Sequence, residues 1–97
     1  MEFEWDEAKR QKVWQKHKVD LYFAARIFRG FYISRSDGRG EYGESRSISV
    51  GMVGDDCFVV VHTEREGKIR LITAWKGGRN ERAAYEDHLA RRNRGDA

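Results

Sequence analysis

The chain contains one cysteine, Cys57, and no proline. A single thiol cannot close an intrachain disulfide, so the fold has to stand on a packed core, as expected in a reducing cytoplasm. No apolar run approaches the roughly 18 residues of a membrane span. The acidic opening Met1-Glu2-Phe3-Glu4-Trp5-Asp6 also lacks the apolar stretch of a secretory leader. The expectation is a cytoplasmic protein without a membrane partner. Metal-ligand spacing is missing too, since the histidines are scattered and no Cys-x-x-Cys or His-x-His occurs. Neither a metal nor another cofactor is expected. Internal repeats and long linkers are absent as well.

What is present suffices for one core. Hydrophobic residues make up 39% of the 97 positions and aromatics 12%, which excludes a disordered chain. Charged residues make up 36%, so the surface must be densely ionic. The net charge of +3 leans toward a polyanionic partner. The length fits a single domain, 1–97, with 91–97 as a fraying basic tail.

Phe3 and Trp5 alternate with acids, which suggests a short first strand. Asp6 suits the N-cap of a helix over 7–17, with Ala8, Val13 and Trp14 on its apolar side. Asp20 suits the cap of a second helix over 21–29. Leu21, Ala24, Ala25 and Phe28 share one face there, and Gly30 stands at the C-terminal end. The period then changes. Residues 31–34 suit a strand and 36–44 a polar loop. Arg46, Ile48, Val50 and Met52 alternate with Ser47, Ser49 and Gly51, as in a half-buried strand. Residues 54–56 form a turn, and Cys57 to Val61 is apolar throughout, as in a central strand buried on both faces. A hairpin turn over 64–68 leads to a last strand over 69–75, then a helix over 79–92 anchored by Ala84, Tyr85 and Leu89. The order β-α-α-β-β-β-β-α is that of an α+β domain with a small antiparallel sheet. Its helices are expected to cover one face and leave the other open for chemistry.

Between the last strand and last helix lies Trp75-Lys76-Gly77-Gly78-Arg79-Asn80-Glu81-Arg82. A strand end, a glycine pair and a helix start gather backbone N–H groups with Lys76, Arg79 and Arg82. That combination suits an anion, above all a phosphate. Gly38-x-Gly40-x-x-Gly43 matches a dinucleotide fingerprint by letter, but it precedes a strand and no βαβ unit follows.

An ordered set of short matches spans nearly the whole chain. It comprises Phe3-x-Trp5-Asp6-Glu7-x-Lys9, Lys16-His17 with Val19, Ala25 with Phe28, and Gly43-Glu44-x-Arg46. It continues through Val60-Val61-His62-Thr63 and Arg70-x-Ile72-x-Ala74 to Glu81-Arg82 and Tyr85. In these residues the chain resembles the BrnT toxins of bacterial type II toxin–antitoxin systems. It departs from them at Lys18, where the family usually has Gly, and at Trp75-Lys76, where many members have a second Arg. The resemblance implies a RelE-like ribonuclease fold and RNA cleavage that stops translation. It also implies a cognate antitoxin that wraps the toxin and binds operator DNA through its own ribbon-helix-helix domain.

Metal-free RNA cleavage needs a base for the 2′-OH, positive groups at the pentavalent phosphate and an acid for the 5′-oxygen. The catalytic candidates are Glu44, Arg46, His62 and Arg70. Arg46 suits a phosphate clamp with Glu44 as base or orienter; alternatively the two form a surface ion pair. His62 shares the face of Val60 and Phe58 and is the best acid–base group by pKa, or else a half-buried structural histidine. Arg70 shares a face with Ile72 and Ala74, and either clamps phosphate or pairs with Glu64 or Glu66. The RNA-binding candidates are Trp75, Lys76, Arg79, Arg82 and Tyr85. Trp75 and Tyr85 are base platforms or core residues, and the cations meet RNA or an acidic antitoxin. His17 suits a helix cap, His88 a helix surface, and Cys57 an inert buried thiol. Two rivals stand beside the nuclease: a non-catalytic RNA- or protein-binding module, and an inactive family member.

Overall fold

The computed structural model describes residues 1–38 and 43–95. Residues 39–42 of the expected loop, Gly40 of the glycine fingerprint among them, and 96–97 of the tail lie outside the described residues. The elements run β1 (Phe3–Glu4), α1 (Glu7–His17), α2 (Leu21–Ala24), β2 (Tyr32–Ser36), β3 (Ser47–Val53), β4 (Asp56–Arg65), β5 (Lys68–Lys76) and α3 (Arg79–Arg94). α2 continues directly into a 3₁₀ segment, Ala25–Arg29. This is the expected α+β order.

Both N-terminal helices start on aspartate. Asp6 accepts the Ala8 N–H at 2.8 Å, and Asp20 accepts the Tyr22 N–H at 2.9 Å, each satisfying an amide that has no partner inside its helix. Asp20 also accepts two hydrogen bonds from Arg10, both 2.9 Å, tying α1 to α2. α1 closes on Lys18 in the left-handed conformation, φ 56°, where a glycine would sit without strain. So lysine makes the turn that glycine makes. Of the expected apolar side of α1, only Val13 is buried; Ala8 is exposed and Trp14 is 53% exposed. α1 rests chiefly on β5, and a helix lying on a single strand buries a narrow stripe.

The strand order is β1-β5-β4-β3-β2, so β4 is central, as its apolar run requires. β2 to β5 form an antiparallel meander. The β3–β4 turn has Gly54 at φ 60°, and the β4–β5 turn has Glu66 and Gly67 at φ 54° and 78°, the pattern of a type I′ hairpin. β1 pairs parallel with β5, Phe3 beside Ile69 and Glu4 beside Arg70, so the sheet is mixed.

The sheet is covered on both faces, not one. α1, α2 and the 3₁₀ segment pack on Phe58, Val60, Leu71 and Ala74. The opposite face carries Ile48, Val50, Cys57, Val59, Val61 and Ile72, with Tyr85 of α3 and Trp75 packed against it. The glycine turn sends α3 there. Gly77 donates its N–H to the Cys57 carbonyl at 2.9 Å, and a Cβ at Gly77 would come within 2.5 Å of Cys57 Sγ. Only glycine lets the chain pass that close to turn under the sheet.

A second close approach seats the other layer. A Cβ on Gly51 would come within 2.7 Å of Ile27 Cβ, so this glycine lets the 3₁₀ segment lie on β3. α3 runs two residues past the expected end and stops on Gly95 in the left-handed conformation, φ 78°. Gly30, by contrast, is extended at φ −130°. β5 carries one irregularity: Val61 faces Thr73 and His62 faces Leu71, so Ile72 is an extra residue. Such a bulge inverts the alternation beyond it. Arg70 therefore shares a face with Ile72 but not with Ala74, which is buried on the other side.

Candidate active site

An open cleft of about 490 Å³ lies at the loop end of β3 and β4, lined by Glu44, Ser45, Ser47, His62, Thr63, Glu64 and Arg65. His62 comes from β4 on the α1–α2 face, as alternation requires. Its ring stands edge-on to Phe28, centroids 4.9 Å apart. Its Nε2 lies 2.6 Å from Ser49 Oγ on β3, and Ser49 Oγ lies 2.6 Å from Ser34 Oγ on β2. Burial holds the imidazole below the usual histidine range, and Glu64 pulls the other way. Thr63 Oγ1 donates to the Ser45 carbonyl at 2.6 Å and pins the loop to the strand.

Glu44 belongs to the loop before β3, yet its carboxylate reaches Arg46 Nε at 3.3 Å. It thus joins the His62 cleft to the arginine. The Arg46 carbonyl accepts the Asp37 N–H at 2.8 Å, which extends the β2–β3 ladder by one step. Alternation from Ser47 then puts Arg46 on the face of Ile48, opposite His62. Arg70 pairs with Glu4 at 3.5 Å, not with Glu64 or Glu66. Thr63 stands directly beside Arg70 in the register, and Arg46 is one step beyond the Ser47–His62 pair. Arg46, Thr63 and Arg70 thus form a row across neighbouring strands, the two arginines roughly 10 Å apart at two strand spacings. Of the four catalytic candidates, Glu44 contacts Arg46 and lines the same cleft as His62, while Arg70 stands on the arginine face with its own carboxylate.

The RNA-binding candidates gather less. Lys76 pairs with Asp56 at 3.2 Å and ties the end of β5 to the start of β4, while Arg82 donates to the Asp55 carbonyl at 2.9 Å and fastens α3 to the β3–β4 turn. The α3 N-terminus carries its own anion: Glu81 Oε1 accepts the Gly78 N–H at 2.8 Å. A carboxylate there fills the position expected for phosphate and repels a second anion. Among the described residues Arg79 forms no ion pair, and it is exposed. Tyr85 packs on the core, its ring centroid 5.6 Å from that of Phe31. Trp75 is half-buried, 6.1 Å from the His17 ring, on the margin of an apolar groove with Ile33, Ile48, Val50 and Val59. Of the remaining histidines, His88 bonds the Ala84 carbonyl on the α3 surface. Cys57 is buried, and burial pushes its thiol upward.

Sequence reasoning missed Ser34, Ser49 and Arg65. Ser49 was visible only as a polar position in an alternating strand. Its neighbours follow from strand register, which local patterning does not contain.

Fold and site together define a small α+β domain with a charged, histidine-bearing cleft at one end of its sheet. A family model described as ribonuclease toxin, BrnT, of type II toxin–antitoxin system matches residues 5–81, and the chain belongs to this family. No curated protein matches the chain. A type II system pairs its toxin with an antitoxin, so the family carries that partner and RNA with it. Among the described residues, no helix is long and apolar enough to cross a membrane.

Proposed function

We propose that this toxin cleaves RNA without a metal, by attack of the substrate's own 2′-OH on the adjacent phosphorus, and thereby inhibits translation. The observation that carries the reading is Glu44, which shares a cleft with His62 and contacts Arg46. One carboxylate thus bridges an imidazole on one face of the sheet end and a guanidinium on the other, and in this reading the scissile phosphodiester lies across that end. The 2′-oxygen forms the new P–O bond as its proton passes to the base, and the 5′-oxygen leaves as it takes a proton from the acid. The products are a 2′,3′-cyclic phosphate and a 5′-hydroxyl. Arg46, with Arg70 in the same row, offers charge to the phosphorane. Arg79 and the margin around Trp75 are the remaining RNA contacts of this reading.

The test is incubation of purified protein with mixed RNA in EDTA, followed by analysis of new 3′ ends. Cyclic-phosphate ends are expected. Arg46→Ala and Arg70→Ala should each cut the rate by roughly 10²–10³-fold, the range for removing one charge-stabilising donor. Full activity in both variants would refute these assignments, and intact RNA with the parent protein would refute the free-standing nuclease.

A binding role has one specific observation in its favour. Trp14, Tyr22 and Phe23 are 53%, 51% and 38% exposed on the α1–α2 side, and none of them lines the His62 cleft. Exposed aromatics of this kind suit a protein partner, and we infer that the antitoxin covers this side. The antitoxin's ribbon-helix-helix domain, through which operator DNA is reached, is read from the family resemblance. Finding a short neighbouring reading frame with that pattern would support it. Growth arrest on expression alone separates an active toxin from a binding module.

A further inference from the structure

Three strands contribute one hydroxyl or imidazole each to a continuous chain, Ser34–Ser49–His62, with both links at 2.6 Å. The middle member is completely buried, and the first is exposed. No buried side-chain nitrogen or oxygen among the described residues lacks a partner, and His62 Nδ1 has none among them. Nδ1 is therefore the nitrogen that reaches the cleft.

We propose that Ser49, backed by Ser34, is the positioning residue of His62: it accepts the Nε2–H and leaves Nδ1 as the working nitrogen. The role rests on the nuclease reading above; the chain of contacts does not. The directions follow from what each group can offer. An imidazolium has only donors, so Nε2–H must donate to Ser49 Oγ in the acid form. Ser49 then passes its own hydrogen to Ser34 Oγ, and Ser34 passes its hydrogen to solvent. The same three directions serve the neutral form with a bare Nδ1, which is the base. His62 can thus take and return a proton at Nδ1 with no other hydrogen bond reversed. A carboxylate at Ser49 would hold the ring protonated, whereas a hydroxyl is neutral toward both forms.

The surroundings agree with this division of labour. Among the described residues, the charged groups that line the cleft with His62 are Glu44, Glu64 and Arg65. From the other elements it meets Ser49 of β3, which Ser34 of β2 backs, Leu71 beside it on β5 and the Phe28 ring of the 3₁₀ segment.

The experiment is ¹⁵N NMR of the histidine side chains across the pH range, on the parent, Ser49→Ala and Ser34→Ala, alongside RNA cleavage kinetics. In the parent, neutral His62 should carry its proton on Nε2. Ser49→Ala should shift the ring toward a tautomer mixture and lower kcat roughly tenfold with KM unchanged, a part of the 10² or more that a placed acid–base group contributes. Ser34 is exposed, so Ser34→Ala keeps the fold and should give the same changes at smaller size. A neutral ring protonated on Nδ1 in the parent, or spectra unmoved by Ser49→Ala, would overturn the proposal. If the parent cleaves no RNA, the nuclease reading falls, and the spectra alone decide the serine chain.

Discussion

At the scale of single residues, Lys18 and His62 each hold a state that chemistry disfavours. Lys18 sits in the left-handed region, which strains any side chain with a Cβ. Lys18→Gly should raise stability by about 1 kcal/mol, read as a higher denaturant midpoint with unchanged slope. His62 is the other. Its folded-state pKa lies below that of the unfolded chain because burial disfavours the imidazolium. As pH falls, the unfolded chain binds the proton first, so stability is whole above about pH 6.5 and is lost as pH drops through the folded pKa. His62→Gln should flatten the pH dependence of the urea midpoint just below pH 6.5; an unchanged slope would show that the imidazole does not titrate there. Asp20 behaves alike further down, since Arg10 holds its carboxyl below the usual range. The sequence discloses such local chemistry unevenly. Asp6 and Asp20 were legible as caps because a cap acts over two or three residues. The Arg70–Glu4 pair was not, because 66 positions separate its members.

At the scale of elements, close backbone approach decides which layer goes where. Gly51 seats the 3₁₀ segment on β3, and the atom that a side chain would meet is the β-carbon of Ile27, which cannot swing aside. Gly51→Ala should destabilise by about 1–3 kcal/mol, the usual effect of overpacking, and a thermal melt measures it. Unchanged stability would mean that the segment lifts freely. The limits of pattern reading show most clearly in β5. Strict alternation placed Ala74 with Arg70, and one extra residue at Ile72 reversed every position after it. A bulge alters no residue type, so composition and periodicity do not reveal it. The same holds for α3. Its residues and start were legible, but its face depended on how Gly77 passes Cys57, a contact 20 positions apart in the chain that only folding creates. The catalytic candidates fared accordingly. Glu44 and Arg46 lie within one loop and were found together, while the serines behind His62 come from two other strands.

At the scale of the whole molecule, the sheet is closed by its ends. Phe3 lies beside Ile69 in the register, and its ring is 5.8 Å from that of Phe28 on the helical layer. Phe3→Ala should cost about 1.5 kcal/mol, the low end for burying a phenylalanine, and amide exchange should report the loss in β5 as well as in β1. Protection lost from β1 alone would show that the first strand is an appendage. The parallel pairing also has a consequence for timing. The 66 positions from Glu4 to Arg70 take roughly 3–13 s to synthesise at about 5–20 residues per second. Throughout that interval the first strand has no neighbour, and α1 has no β5 beneath it. The order of assembly in a growing chain is therefore inverted with respect to the order of synthesis. The earliest residues are among the last to find their places, and a nascent chain halted before β5 has no completed sheet to carry its cleft.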